Sequence, residues 1–356
     1  MNAKHVISKL RGLIADPDLA IDLGTANTRL YAMGDGLVVD SPTVLFESSS
    51  DRGGDAQSSF KTSNEGAYAA RGVMPLSGGV VTDAEAAAAL LGKFLQRARR
   101  FGIVNPRALV CAPSDASQKE RAALTGSVLR AGASAVKVIP EPLAAAVGAG
   151  LDISLPYAQM LVDIGDGVTD IAVIRSGVLV RTAAVRLGCS DLYPAVRRLV
   201  ASRFRVMLFS REAERLTREI GSVHRSSEPG ATSSALGLNR INGRVTSVCI
   251  SSEDVSSAIR PVIDVIRETV SCAFRRLPPD IAAEVIEGGI LLTGGGACLP
   301  GMRELIAEET SVEVKVAADP LHAVINGASQ MLAIGEITEL WNKDERRWSP
   351  TPCNSP

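Results

Sequence analysis

The chain has 356 residues, of which 46% are hydrophobic and 22% charged, with a formal net charge of −1. That make-up suits a soluble globular protein of about two domains, and the balanced charge supplies no global field that would draw it to nucleic acid, so no nucleic-acid partner is expected. The six cysteines contain no CxxC pair and the three histidines are scattered, which disfavours a disulfide scaffold and a zinc site; the thiols read as reduced in a cytosolic protein.

At the N-terminus Val6, Ile7, Leu10, Leu13 and Ile14 fall at helical spacing, with Lys4, Lys9 and Arg11 between them. This predicts an amphipathic helix within 1–16, either lying on an anionic membrane or docked on the protein's own core. Lys9 and Arg11 interrupt the apolar run a signal peptide would need, and no stretch of about 18 apolar residues predicts a transmembrane helix. Strands follow around Leu19 to Leu23, Thr28 to Met33 and Leu37 to Asp40, with glycines at the turns. Glu47 to Glu65, rich in Ser, Asp and Gly, reads as a loop. Helices are predicted over Asp83 to Arg99, over Ser117 to Ala131 with a serine cap, and over Pro142 to Ala149 with proline early.

A second set of strands runs around Met160 to Ile164, Asp170 to Ile174 and Val178 to Val185. Helical periodicity covers Arg211 to Ser222 and Ser252 to Arg276, with a loop from Arg225 to Ser234 between them. A strand over Gly289 to Thr293 enters three glycines and then a helix from Met302 to Glu309, and the tail after Trp348 reads as disordered. Strands mixed with helices throughout make the chain α/β.

The two strand sets are copies. Ile21-Asp22-Leu23-Gly24-Thr25-Ala26-Asn27-Thr28 resembles Val162-Asp163-Ile164-Gly165-Asp166-Gly167-Val168-Thr169, and position 36 maps on 177 with the same spacing of 141 residues. A repeat separated by a domain's length predicts two similar halves. Each copy ends its first strand in an aspartate and enters a turn of small residues. Such a turn exposes peptide N–H groups that cradle phosphate oxygens, and glycine is needed where a side chain would block their approach. Asp22 and Asp163 would stand beside those phosphates. Two carboxylates among phosphates require a divalent cation, and Mg²⁺, which keeps much of its water, would be held by both through water. Thr25 and Asn27 add a hydroxyl and an amide. Two such hairpins facing each other would clamp the β- and γ-phosphates. The third element, Leu292-Thr293-Gly294-Gly295-Gly296-Ala297, suits close backbone approach to a base or ribose. It lacks GxGxxG spacing, and no GxxxxGK[ST] loop occurs elsewhere.

These three elements, in this order, resemble the phosphate-1, phosphate-2 and adenosine motifs of the actin superfamily, and within it the match is to the MreB family of bacterial actins. IDLGTANT at 21–28, CAPS at 111–114, EPLAAA at 141–146, AERL at 213–216 followed by EIG at 219–221, PP at 278–279, LTGGGA at 292–297 and DPL at 319–321 all resemble MreB motifs. The resemblance spans about residues 17 to 335 and implies an actin-like ATPase fold: two duplicated domains with a nucleotide cleft between them. Domain I would cover 17–150 plus about 316–345 and domain II 151–315, leaving 346–356 as tail. ATP with Mg²⁺ is the implied cofactor. Thr25, Ala26, Asn27, Gly165, Asp166 and Gly167 would touch phosphate. Glu214, Arg215, Leu216 and Thr217 would flank the adenine and ribose, with Gly294, Gly295, Gly296 and Ala297 completing the pocket. Glu141 matches the family's catalytic glutamate, and Asp22 and Asp163 act with it. A carboxylate at 141 would orient water in line with the γ-phosphate; without that role it would be a helix-start acid favoured by the dipole.

The resemblance implies a slow ATPase that builds homopolymeric filaments in the cytoplasm, at the inner face of the cell membrane, where it organises cell-wall synthesis membrane proteins and so cell shape. Several departures mark a divergent member. The family's DIGGGTTE is DIGDGVTD here, its water-positioning threonine is Val168, a nucleotide-side lysine is Thr217, and Gly-Gly-Asp is Gly188-Cys189-Ser190. The segment from Ala67 to Val80 is shorter than the family's and lacks its hydrophobic membrane loop. The competing readings are a nucleotide-binding scaffold with weak or no ATPase activity and a small-molecule kinase on the same fold, which would need an additional base.

Overall fold

A computed structural model describes residues 18–47, 60–61, 72–98, 105–223 and 230–334. The amphipathic segment expected within 1–16, most of the loops expected at 47–65 and 225–234, and the tail at 346–356 lie outside the described residues. The chain divides into two compact units: the part up to Gly148, rejoined from Val324, and Ala149–Ala323.

The first unit opens with β1 (Leu19–Leu23), β2 (Asn27–Ala32) and β3 (Gly36–Pro42), an antiparallel meander. Short strands follow: β4 (Leu45–Glu47), β5 (Phe60–Lys61), β6 (Gly72–Val73), and the hairpin β7 (Leu76–Ser77) and β8 (Val80–Val81). Helix α1 (Ala84–Ala98) and β9 (Arg107–Ala112) come next, then α2 (Gln118–Arg130), β10 (Ala135–Pro140) and α3 (Glu141–Gly148). Helix α2 starts where the sequence places its cap. Ser117 and Glu120 form a reciprocal capping box, which satisfies two otherwise orphaned N–H groups.

The main sheet has the order β10-β9-β1-β2-β3. β1, β9 and β10 are mutually parallel, so their carboxyl ends share one edge. β1 is buried along its whole length, as a strand covered on both faces must be. Leu19, Ile21 and Leu23 point into an apolar core with Leu90, Leu91, Phe94 and Val128, while Asp22 falls on the other face by alternation.

In the second unit β11 (Gln159–Ile164), β12 (Thr169–Arg175) and β13 (Val178–Val185) repeat the meander. They continue into α4 (Cys189–Arg203), β14 (Val206–Leu208), α5 (Ser210–Ile220), β15 (Thr232–Asn239), β16 (Val245–Ser251) and α6 (Ser252–Arg275). Then follow α7 (Pro279–Gly288), β17 (Ile290–Thr293), a 3₁₀ turn at Gly295–Cys298, α8 (Met302–Thr310) and β18 (Val314–Val316). The sheet order is β13-β12-β11-β17-β18, with β11, β17 and β18 parallel. A separate sheet, β14-β15-β16, carries the hairpin. Thr232 to Ser234, expected in a loop, belong to β15: their alternation was masked by serine, yet they pair with Cys249 to Ser251. The chain returns to the first unit in α9 (Ala323–Ile334). There α9 meets α3 backbone to backbone, for a Cβ on Gly327 would lie 1.8 Å from the Ala144 carbonyl oxygen. No helix of the described residues is long and apolar enough to cross a membrane.

Candidate functional site

The duplication extends to single hydrogen bonds. In the first unit Gly24 N–H donates to the Asn27 carbonyl at 3.1 Å; in the second, Gly165 N–H donates to the Val168 carbonyl at 2.9 Å. Both bonds close the turn that follows the aspartate, at the same spacing of 141 residues. Both glycines sit where a side chain would be crowded. A Cβ on Gly24 would lie 2.9 Å from Asn27 O, and one on Gly165 would lie 3.0 Å from Val168 O.

In the first unit the turn is fixed from below. The buried Thr43 hydroxyl donates to Gly24 O at 2.7 Å. Its single proton being used there, the Thr28 hydroxyl must donate to Thr43 Oγ1 across their 2.8 Å contact. Thr43 N–H donates to Ala26 O at 2.8 Å, and the Thr25 hydroxyl accepts from Gly79 N–H at 3.0 Å. The carbonyls of Gly24, Ala26 and Asn27 are therefore engaged. Asp22 is buried and faces Arg29, whose Nη1 lies 3.4 Å from Asp22 Oδ2 and whose Nε lies 3.3 Å from Asp40 Oδ1. Glu141 follows Pro140 at the carboxyl end of β10, the edge at which β1 enters the Gly24 turn. Asp22, the turn from Thr25 to Asn27 and Glu141 thus gather at one edge of one sheet, the carboxyl edge where open α/β sheets bind ligands.

In the second unit the turn is fixed by a helix start. Cys189 N–H donates to Gly165 O at 3.1 Å, and the Ser190 N–H and hydroxyl reach Asp166 O at 2.9 and 2.8 Å. Gly188 permits this contact, because a Cβ there would lie 2.4 Å from Asp166 O. The Gly188-Cys189-Ser190 triplet is thus a support that motif reading recognised only as a departure. Asp163 is buried, and the residue opposite it is Asp170, also buried, where the first unit has arginine. β11 and β17 run parallel with Asp163 level with Thr293, which sets the Gly294 turn beside the Gly165 turn. The approach is close: a Cβ on Gly294 would lie 2.3 Å from Ile164 O and 2.4 Å from Asp163 Oδ1, and one on Gly296 would lie 2.2 Å from Ile164 Cγ2. Gly294 N–H is held by Pro320 O at 2.9 Å.

Charge around these turns is acidic. Burial, reinforced by the Glu214 and Asp191 carboxylates, pushes the Asp166 carboxyl up to about 6. Burial, with Asp166 adding to it, pushes the Cys189 thiol up to about 12, so this thiol stays protonated and poorly nucleophilic at neutral pH.

The four residues singled out on α5 part company. Leu216 is fully buried in the core and Thr217 is 2% exposed, its hydroxyl donating to Ala213 O at 2.8 Å. Arg215 is tied to Glu212, Glu219 and the β15 residues Ser233 and Ser234. Glu214 alone of the four acts on the Asp166 carboxyl. The reason is periodicity: four consecutive residues of a helix face four directions, and the side of Glu214 continues at Arg218, which lies 3.5 Å from it. Val168 is buried, 5% exposed.

A family model described as "MreB/Mbl protein" matches residues 16–339. The chain is similar to the cell shape-determining protein MreB of Escherichia coli (strain K12), 35% identical over 338 residues, covering 92% of this chain and 96% of that protein. It is 32% identical over 327 residues to the cell shape-determining protein Mbl of Bacillus cereus, covering 88% and 95%. Among solved structures it resembles MreB5 of Spiroplasma citri bound to AMPPNP, with a TM-score of 0.82 at 27% identity, covering 92% of this chain and 98% of the other; the same protein has also been solved bound to ADP.

Proposed function

The chain belongs to the MreB/Mbl protein family, and from that premise we propose how it works as an actin-like, nucleotide-binding, self-associating cytoskeletal protein of bacterial cell shape. ATP is the nucleotide. The turns at Thr25 to Asn27 and at Gly165 to Gly167 receive its phosphates. The carbonyls of Ala26, Asn27, Gly165 and Asp166 are already engaged, which favours an anion meeting the N–H groups of these turns. The Gly294 to Ala297 turn and Glu214 receive the adenosine end.

Mg²⁺ fits the second unit on chemical grounds. Asp163 and Asp170 stand directly opposite each other and both are buried, and paired carboxylates favour a hard divalent cation. Asp22, by contrast, already has a guanidinium beside it, so Asp163 is the stronger candidate for holding the metal's water. When bound, the metal neutralises charge on the phosphates. Glu141, at the start of α3, orients the attacking water, and hydrolysis weakens head-to-tail contacts between subunits, which build an open filament because they do not close into a ring. Filaments acting at the inner face of the cell membrane, with cell-wall synthesis membrane proteins as partners, follow from the family and from the amphipathic spacing of residues 4–14.

The observation that carries this reading is the repeated turn: one hydrogen bond and one crowded glycine, found twice at one spacing beside an aspartate. The test is ATP-dependent pelleting with phosphate release, comparing wild type with Glu141→Ala. The expected result is pelleting in wild type, with phosphate release lost and ATP binding retained in the variant. ATP binding by wild type without pelleting or phosphate release would overturn hydrolysis and leave a nucleotide-binding scaffold.

A further inference from the structure

The sheet β14-β15-β16 has one face in the core and one outside it. Val206, Leu208, Ala235 and Ile250 belong to the apolar cluster of the second unit. Alternation sends their neighbours outward, and the outward residues nearest the β15–β16 turn are apolar. Met207 stands level with Leu238, and Leu238 with Val245, so these three lie abreast across the three strands. Residues opposite each other in antiparallel strands share a face. Phe209 N–H donates to Leu236 O at 3.4 Å, which sets a second apolar pair beside that row. All five side chains are exposed, Val245 to 61%. Adjoining exposed apolar side chains of this kind mark a surface that meets a partner.

The turn at the end of the sheet adds positive charge. Asn239 N–H donates to Arg244 O at 2.9 Å, and the Asn239 side-chain oxygen accepts from the N–H groups of Ile241 and Asn242 at 2.8 and 3.3 Å. The turn is thus held in shape by its own asparagine. At its tip Ile241 is 75% exposed, and Arg240 and Arg244, on either side of it in the chain, are exposed too. Arg240 N–H donates to Arg205 O at 2.8 Å, which brings a third exposed arginine to the same end. No Asp or Glu occurs within 204–211 or 232–251. The acids that follow, Glu212 and Glu253, come after the ends of β14 and β16 that lie away from this turn. Glu212 is already bound to Arg215 and to Leu236 N–H.

We propose that this turn and the apolar face beside it form a second lipid-contact surface, whose partner is an anionic bilayer. Ile241 and the row Met207, Leu238 and Val245 enter the acyl boundary, and Arg205, Arg240 and Arg244 meet lipid phosphates. The order of the groups favours lipid over a protein. An apolar tip flanked by cations matches a surface whose charged layer lies outside its apolar layer, and the row beside the turn offers no polar side chain to which a protein partner could hydrogen-bond. The inference shares a membrane with the function proposed above and assigns it a surface other than residues 4–14; it does not depend on nucleotide.

The experiment is flotation of the full chain, without nucleotide, on phosphatidylcholine vesicles with and without phosphatidylglycerol. Wild type is compared with Ile241→Ser, with Arg240→Gln and Arg244→Gln together, and with Leu10→Asp. Wild type is expected to float with the phosphatidylglycerol vesicles. Ile241→Ser should weaken that partition about tenfold, as loss of one inserted aliphatic side chain does. The arginine pair should weaken it about thirtyfold, as loss of two charges near an anionic surface does. Thermal midpoints should stay together, because the substituted side chains are exposed. Ile241→Trp should gain a blue-shifted emission, quenched by brominated lipid, that wild type lacks. Undiminished flotation of both face variants, or no added quenching in Ile241→Trp, would overturn the inference. If Leu10→Asp alone were released, the membrane would belong to residues 4–14 and the proposed function would stand. Face variants that float normally but no longer pellet with ATP would give this face to a second copy of the chain and overturn the lipid assignment. Failure of wild type to float on either vesicle would sink both this inference and the membrane location.

Discussion

Gly294→Ala tests the packing of the two second-unit turns most directly. Gly294 has φ +78° and ψ 175°, a region that only glycine occupies readily; a side chain held there costs roughly 1–3 kcal/mol. The new methyl would also lie 2.3 Å from Ile164 O and 2.4 Å from Asp163 Oδ1. The aspartate oxygen can swing away, but Ile164 O is backbone of a strand hydrogen-bonded on both sides. Forcing it apart costs about 1–3 kcal/mol more, as overpacking does. Together the loss is roughly 2–6 kcal/mol, read as a lower urea midpoint at unchanged slope. Gly36→Ala is the control. Gly36 has φ +85° and nothing within 4 Å of a built Cβ, so it carries the strain without the overlap. Nucleotide affinity should fall in Gly294→Ala, because Asp163 must move, and hold in Gly36→Ala. If the two variants lost equal stability and both bound ATP like wild type, the close approach of these turns would be refuted.

Thr43→Val removes the part-buried hydrogen bond to Gly24 O and the buried acceptor of the Thr28 hydroxyl; a loss of about 1–3 kcal/mol in urea unfolding is expected, with weaker ATP binding. Asp166→Asn should stabilise the protein above pH 6 and not at pH 4. The carboxyl sits near 6 when folded against an ordinary 3.8, so its favourable contribution is complete below about 4 and lost as pH rises through 6. The gain, on the order of 1–2 kcal/mol at pH 7.5 after allowing for partial solvent access, is read from urea midpoints along a pH series; a parallel shift at all pH values would contradict the assignment. Leu10→Asp should release the chain from anionic vesicles in co-sedimentation by removing apolar burial from residues 4–14; undiminished binding would mean that this segment does not hold the membrane.

The duplicated hairpins were legible because their signal is doubled: an aspartate and glycine at one spacing cannot be read from either copy alone. β1 and β13 fall on the predicted residues, Leu19–Leu23 and Val178–Val185: β13 is rich in β-branched residues between Gly177 and Gly188, and β1 is a short apolar run closed by the turn at Gly24. Helix α4 was not legible. It opens on Gly-Cys-Ser without a side-chain cap and holds Pro194 inside, both of which read as breakers. Its start is satisfied instead by the carbonyls of Gly165 and Asp166, a tertiary arrangement with no local trace. The hairpin β15–β16 was hidden for a related reason. Its inward residues, such as Ala235 and Ile250, are interleaved with serines, so alternation is weak until the partner strand is known.

The two copies share a turn and differ in what stands across from the aspartate. In the first, Arg29 faces Asp22 and reaches on to Asp40. In the second, Asp170 faces Asp163. Opposite residues of an antiparallel pair sit within about 5.5 Å of each other, so this one change reverses the local field while leaving the backbone intact. The shared hairpin geometry therefore does not make the two turns equivalent. A guanidinium beside Asp22 gives that carboxylate a partner of opposite charge. Across from Asp163 stands a second buried carboxylate instead. Equal folds with unequal charge partners support the proposal that one half positions phosphate and the other takes the metal.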